Sequence, residues 1–205
     1  LELAEEDIVN IENAVAQGGD IWNNPLVANF KTKVKEYYRD FENEQCCYCK
    51  KNFQGEFNMV IDIEHILPKG KAEFRELMFI TTNLNIACKR CNMKIKGSKT
   101  DFVFDINNSA QNHMDSANYR FIHPNVDTYF DHINFFQHIE NDKKLIKYKI
   151  VANSEKGKYT YEYFKLNELE IDSINQAQGL VEKAEFSEKI DSTIQDRLRQ
   201  AFKNI

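Results

Sequence analysis

The chain has 205 residues, 29% charged and 42% apolar, with a formal net charge of −5. That length buries a real core, the composition is globular rather than disordered, and the acidic balance argues against a protein that coats nucleic acid nonspecifically, without excluding a local basic patch. No apolar run approaches the roughly 20 residues of a membrane span, and the acidic opening Leu1 to Asp7 is unlike a signal peptide, so a cytoplasmic protein with no membrane partner is expected.

Taken in order, residues 2–16 read as a helix, with Ala4, Ile8, Ile11 and Val15 at helical spacing and Gly18-Gly19 at its end. Asn24 and Pro25 read as the N-cap and first residue of a second helix, its buried stripe running through Leu26, Phe30, Val34, Tyr37 or Tyr38, and Phe41. Both helices read as scaffold, because such stripes usually face a core. After the turn Cys46-Cys47-Tyr48-Cys49, residues 57–66 read as a strand closed by Pro68 and Gly70. A helical turn over 72–78, a returning strand over 84–87 and a short helix over 89–96, ended by Gly97, follow.

Residues 101–127 are polar and Asn-rich and read as a long loop or wrapping segment. Residues 129–139 are expected to be helical, and 145–152 with 158–164 to form a hairpin about the turn 153–157. Asn167 reads as the N-cap of a C-terminal helical region with one stripe through Leu169, Ile174, Ala177, Val181 and Ala184 and another through Phe186, Ile190, Ile194, Leu198 and Ala201. The organisation expected is a helical scaffold over 1–44, a core over 45–100, a wrapping segment and hairpin over 101–165, and C-terminal helices over 166–205, all in one compact unit.

Four of the five cysteines fall in two C-x-x-C pairs, Cys46/Cys49 and Cys88/Cys91, which in a chain without signs of secretion favours metal over disulfides. Two thiolates from each pair make a closed tetrahedral zinc site, which is structural rather than catalytic. The 38 residues between Cys49 and Cys88 exceed the gap of a simple zinc finger, so the knuckles are expected to bracket a functional insertion. Cys47 is expected to be a free thiol.

Within that insertion lie Glu64-His65-Ile66-Leu67-Pro68 and Asn83-Leu84, and after Cys91 come Asn92, Lys96 and Gly97. The order and spacing of these elements resemble the HNH endonuclease family, although no single motif is specific alone. The resemblance implies an α+β fold with a ββα-metal core, a two-stranded hairpin on a short helix, pinned by four-cysteine zinc knuckles and flanked by N-terminal and C-terminal helices and a second β-hairpin. It further implies cleavage of DNA with one catalytic Mg²⁺ or Mn²⁺, leaving 5′-phosphate and 3′-hydroxyl ends.

The chemistry gives the same residues roles. His65 suits the general base, since its neutral form is available near pH 7. The Glu64 carboxylate and the Asn92 amide oxygen are candidate ligands for the hard cation, with Asp62, two residues earlier, as a second candidate. The family has Asp more often where Glu64 stands, and His where Asn92 stands. Asn83 is expected to orient the His65 ring, and Lys94, Lys96 and Lys89 to hold flanking phosphates. His113, His123, His132 and His138 fall outside the motif. A zinc-supported nucleic-acid-binding or adaptor module without cleavage is the competing reading. More loosely, the short core with long helical flanks looks similar to bacterial anti-phage nucleases of the Septu type, which work with an ATPase partner; residues 168–202 would then be the docking surface.

Overall fold

The computed structural model describes residues 1–141 and 143–172; the expected C-terminal stripes beyond Leu169, and most of the expected docking surface, lie outside the described residues. Helix α1 (Glu5–Gln17) begins with three acidic residues, which suit the positive end of its dipole, and stops where Gly18 takes φ 70°. Helix α2 (Ala28–Phe41) is entered through a 3-10 turn, Pro25–Val27, and the Asn24 side chain accepts the Leu26 N–H there at 3.0 Å. Its buried face is Phe30, Val34 and Tyr38, as the spacing predicts, while Tyr37 and Phe41 are exposed.

Helix α1 is rotated away from its expected stripe. Ile8 and Val15 are 41% and 52% exposed, and Asp7 and Ala14 face inward instead. The reason is polar. Asp7 accepts from Lys33 Nζ at 2.6 Å and Asn29 Nδ2 at 2.9 Å, both on α2, and from the Ala4 N–H at 2.9 Å. A buried carboxylate so paired fixes the helix face more firmly than isoleucines that remain partly wet. Ala14 then packs with Ile21 and Val27.

Strands β1 (Ile61–His65) and β2 (Leu84–Cys88) pair antiparallel, from Ile61 opposite Cys88 to His65 opposite Leu84. β1 is shorter than expected because residues 58–60 form a 3-10 turn. Between the strands, Ala72–Leu77 is a 3-10 helix that buries Phe74 and Leu77. After β2, Arg90–Lys96 winds as a π-helix; the Gly97 N–H closes it on the Asn92 carbonyl at 2.7 Å, with Gly97 at φ 51°. Wide turns of this kind are common at functional sites.

The segment 101–127 is not featureless. It holds helix α3 (Ile106–Gln111) and a bridge between Val103 and Tyr119, and it buries Phe102, Tyr119 and Phe121. Phe121 packs edge-on to Tyr48, whose other neighbour, Phe164, is stacked with a ring separation of 4.1 Å. These aromatics fill the space behind the first cysteine pair.

The second half of the chain departs most from expectation. Of the helix expected over 129–139, only Tyr129–Asp131 is helical; Ile133–Glu140 is strand β3, followed by β4 (Lys143–Ile150). The expected strand over 158–164 is instead helix α4 (Glu155–Tyr163). Ser154 is its N-cap, accepting the Gly157 N–H at 3.0 Å, so the supposed turn is a helix start. Gly157 is also pressed against the His132 carbonyl oxygen, which a Cβ would meet at 2.6 Å. Asn167 sits inside the 3-10 turn Leu166–Leu169 rather than capping a helix.

The fold is thus mixed α+β with small sheets, and it divides into two units. The first is Leu1–Phe136 with Lys147–Glu170; the second is Gln137–Ile146 with the residues from Ile171 onward. In the second, β5 (Ile171–Asp172) pairs antiparallel with Leu145 and Ile146. Among the described residues no helix is long and apolar enough to cross a membrane.

Candidate active site and metal centre

The hairpin carries a cysteine cluster at its Cys88 end, and a cleft runs along β1 from Asp62, next to that end, to His65 at the other. Cys46, Cys49, Cys88 and Cys91 are all buried, and their sulfurs lie within 4.8 Å of one another. A tetrahedral zinc with bonds of about 2.3 Å needs sulfurs about 3.8 Å apart; Cys49 Sγ and Cys88 Sγ are 3.8 Å apart. The first knuckle is shaped by its backbone. Lys50 N–H donates to the Cys46 carbonyl at 2.9 Å, and Lys50 takes φ 54° to close the turn. The Cys88 N–H points at Cys46 Sγ at 3.4 Å, the kind of donor that favours a thiolate. Cys47, a free thiol, is buried beside Cys46, and its N–H bonds the Ile86 carbonyl at 3.1 Å. Donor set and spacing fit a structural zinc ion.

Along β1, Asp62, His65 and Asn92 line one cleft of about 590 Å³, together with Lys31, Lys35, Lys69 and Trp22. His65 is held firmly. Its Nε2 lies 3.1 Å from the Met78 carbonyl, and its ring meets Trp22 edge-on at 4.4 Å. A carbonyl can only accept, so Nε2 carries the proton and Nδ1 is the free base of the neutral ring. Burial first, then the nearby Lys69 charge, pushes the imidazole pKa down to about 3.

Asp62 and Asn92 are joined across the cleft wall, Asn92 Nδ2 donating to Asp62 Oδ2 at 3.1 Å. Lys89, half-exposed, donates to Asp62 Oδ1 at 2.9 Å. The amide oxygen of Asn92 and the carboxylate of Asp62 are hard donors of the type Mg²⁺ or Mn²⁺ takes. Their fit to such an ion is chemical: a carboxylate whose present partners are a mobile lysine and an amide that can turn its oxygen toward a cation.

Glu64 is turned the other way. It is 0% exposed, its Oε1 receiving Lys96 Nζ at 2.6 Å and the Tyr48 hydroxyl at 3.1 Å. Lys96, itself 1% exposed, also donates to the His65 carbonyl at 2.7 Å. This pair braces the helical turn 90–96 against β1. Asn83 does not reach the imidazole. Its Nδ2 donates to the Leu67 and Leu77 carbonyls at 3.1 and 3.2 Å, and its Oδ1 accepts the Leu67 N–H at 2.9 Å. It clamps the loop that brings the Met78 carbonyl to His65, so the ring is steered by backbone. Lys94 is exposed on the helical turn.

Outside the cleft, His123 accepts the Asn125 N–H, His113 bonds Thr82 Oγ1 and His132 bonds Ser154 Oγ. The sequence reading missed Trp22, Lys31, Lys35 and Lys69. The first is the chain's one tryptophan and the last follows directly on His65-Ile-Leu-Pro68, signals that single out those two residues; Lys31 and Lys35 carry none.

The chain is similar to the Septu protein PtuB of Bacillus thuringiensis, 27% identical over 169 residues, which cover 82% of this chain and 52% of that protein. It thus spans about half the length of the curated relative it matches. No family model matches the chain, and no solved structure matches it.

Proposed function

We propose that this chain is a metal-dependent endonuclease of the HNH type, built on a ββα-metal core, that hydrolyses DNA phosphodiester bonds in anti-phage defence. The observation that carries the reading is the convergence of Asp62, His65 and Asn92 on one cation-rimmed cleft, with the imidazole held neutral and its tautomer set. The likeness to a Septu protein supports the defence role and an activating partner subunit; that this subunit is an ATPase is part of the proposal.

His65 Nδ1 takes the proton of the attacking water as it adds in line to phosphorus. Asp62 and Asn92 would hold the cation, and Glu64 secures the strand by its ion pair with Lys96. The divalent ion, when bound, supplies charge to the developing oxyanions of the phosphorane and leaving group. Lys31, Lys35, Lys69, Lys89 and Lys94 neutralise the flanking phosphates. The zinc is structural and pins the hairpin.

The test is cleavage of supercoiled plasmid by the purified chain, alone and with its native co-purifying partner, in Mg²⁺ or Mn²⁺. Wild type nicks or cuts; His65→Ala and Asp62→Ala do not. Undiminished cutting by His65→Ala removes the mechanism. DNA binding without cutting, in every divalent metal and with the partner present, selects the non-cleaving adaptor reading.

A further inference from the structure

The cleft at His65 does not end at Trp22. A second cleft of about 350 Å³ shares Trp22, Lys69 and Gly70 with it and continues past Asp20 to Lys71, Arg75 and Met78. The indole is the ridge between them. It touches the His65 ring on one side, and the amines of Lys31 and Lys69 lie 5.1 and 5.8 Å from its centre.

The charge here is unusual for the chain. The protein carries a net charge of −5, and many of its lysines and arginines are in ion pairs. Among the described residues, no carboxylate lies within ion-pairing distance of Lys31, Lys35, Lys69, Lys71 or Arg75. Five such cations gather along two adjoining clefts, with Asp62 as the acid lining the first and Asp20, exposed, as the acid lining the second. Lys71 and Arg75 are exposed, so nothing about the fold requires them. Lys31 and Lys35 hydrogen-bond only neutral oxygens, of Trp22, Asn23 and Asn58, so their charges are not cancelled. Cations without carboxylate partners, interrupted by one aromatic ridge, match an anionic polymer that alternates phosphates with flat apolar groups.

We infer that the second cleft is the binding track for the nucleic-acid strand beside the scissile phosphate, with Lys71 and Arg75 as positioning residues and Trp22 as the ridge over which the strand passes. The inference rests on the endonuclease reading for where the scissile phosphate sits, and it goes further in assigning the strand's course. A phosphate at His65 has neighbours on the same backbone; the track gives one of those flanks its counter-charges, from the connection between β1 and β2.

The experiment uses the full chain and a fluorescein-labelled DNA duplex and its single strand. Anisotropy binding is measured without added divalent metal over a salt series, and cleavage kinetics are measured in Mg²⁺ or Mn²⁺. Lys71→Ala and Arg75→Ala are each compared with Lys51→Ala, an exposed lysine outside both clefts that changes the charge equally. Each track variant is expected to weaken binding several-fold and lower the salt slope by about 1, with the kinetic loss falling on KM rather than kcat. Lys51→Ala is expected to leave the slope unchanged. Equal binding and slope for all three variants and wild type overturns the track and leaves the nuclease reading intact. Binding weakened by Lys71→Ala and Arg75→Ala in a protein that never cleaves supports the track and overturns the nuclease. Absence of DNA binding by wild type overturns the track outright.

Discussion

Replacing Lys96 with methionine tests how the Glu64 carboxylate is oriented. The change keeps the length of the side chain and removes its charge. In the wild type, burial pushes the Glu64 carboxyl up while Lys96, 2.6 Å away, pulls it down, and burial is the larger effect. In Lys96→Met the carboxylate keeps only the Tyr48 hydroxyl, and it escapes isolation by taking a proton. From its ordinary value of 4.5, protonation costs about 3.4 kcal/mol at pH 7 and about 0.7 kcal/mol at pH 5. Loss of the Lys96 bond to the His65 carbonyl adds about 1 kcal/mol at either pH. The expected destabilisation is therefore about 4 kcal/mol at pH 7, in the range for breaking a buried pair, and about 2 kcal/mol at pH 5.

The sign follows from proton counts. In the variant the folded carboxyl titrates above the unfolded one, so the native state holds the extra proton, and stability falls as pH rises from 4.5 toward the folded value. Urea unfolding of zinc-loaded wild type and variant at the two pH values reads the difference. The double variant Glu64→Gln/Lys96→Met should regain most of the loss and show no pH dependence. A loss at pH 7 below about 1 kcal/mol, or an equal loss at both pH values, refutes an inward-facing Glu64.

Because the His65 pKa is pushed down to about 3, the base stays unprotonated on acidification, and cleavage should show no acid limb from this ring between pH 5 and 8; a His65-dependent midpoint near 6.5 contradicts the buried ring. Asn83→Ala strands the Leu67 N–H and two carbonyls and should cost about 3 kcal/mol in urea unfolding, whereas a loss of catalysis with unchanged stability would make Asn83 a direct participant. Gly157→Ala drives a Cβ into the His132 carbonyl oxygen and should cost about 1–3 kcal/mol, seen as a lower thermal midpoint; an unchanged midpoint removes the close approach. Cys88→Ser should abolish stoichiometric zinc in elemental analysis of the purified protein, and wild-type zinc content in that variant would rule out the four-thiolate site.

Much of the core was legible because its signals are local. Cysteine pairs announce themselves by spacing, Asn24-Pro25 and Gly97 punctuate helices, and the alternation around Ile61–His65 marks a strand. What the sequence concealed was long-range. Asp7 reads as a solvated acid until Lys33 and Asn29 meet it from another helix, and that meeting turns α1. Asp62 and Glu64 read as equivalent carboxylates on one strand; only the positions of Lys89, Asn92 and Lys96 separate a cleft residue from a buried brace. Residues 153–164 mislead because their tyrosines and threonine favour strands, and the capping serine outweighs them. The cleft cations Lys31, Lys35 and Lys69 come from segments with no sequence signature in common, so only the fold could gather them.

Strand β2 carries one of the four clustered cysteines, a candidate zinc ligand, at its last residue and follows directly on the Asn83 clamp at its first. A slip of one residue against β1 would turn the side chains of β2 to the opposite face and carry Cys88 away from the other three cysteines. Metal affinity and strand alignment are therefore one equilibrium: each thiolate bond to zinc is also a penalty on every misaligned hairpin. A chain that has captured its zinc has, by the same act, already been checked for the alignment that hydrolysis would require.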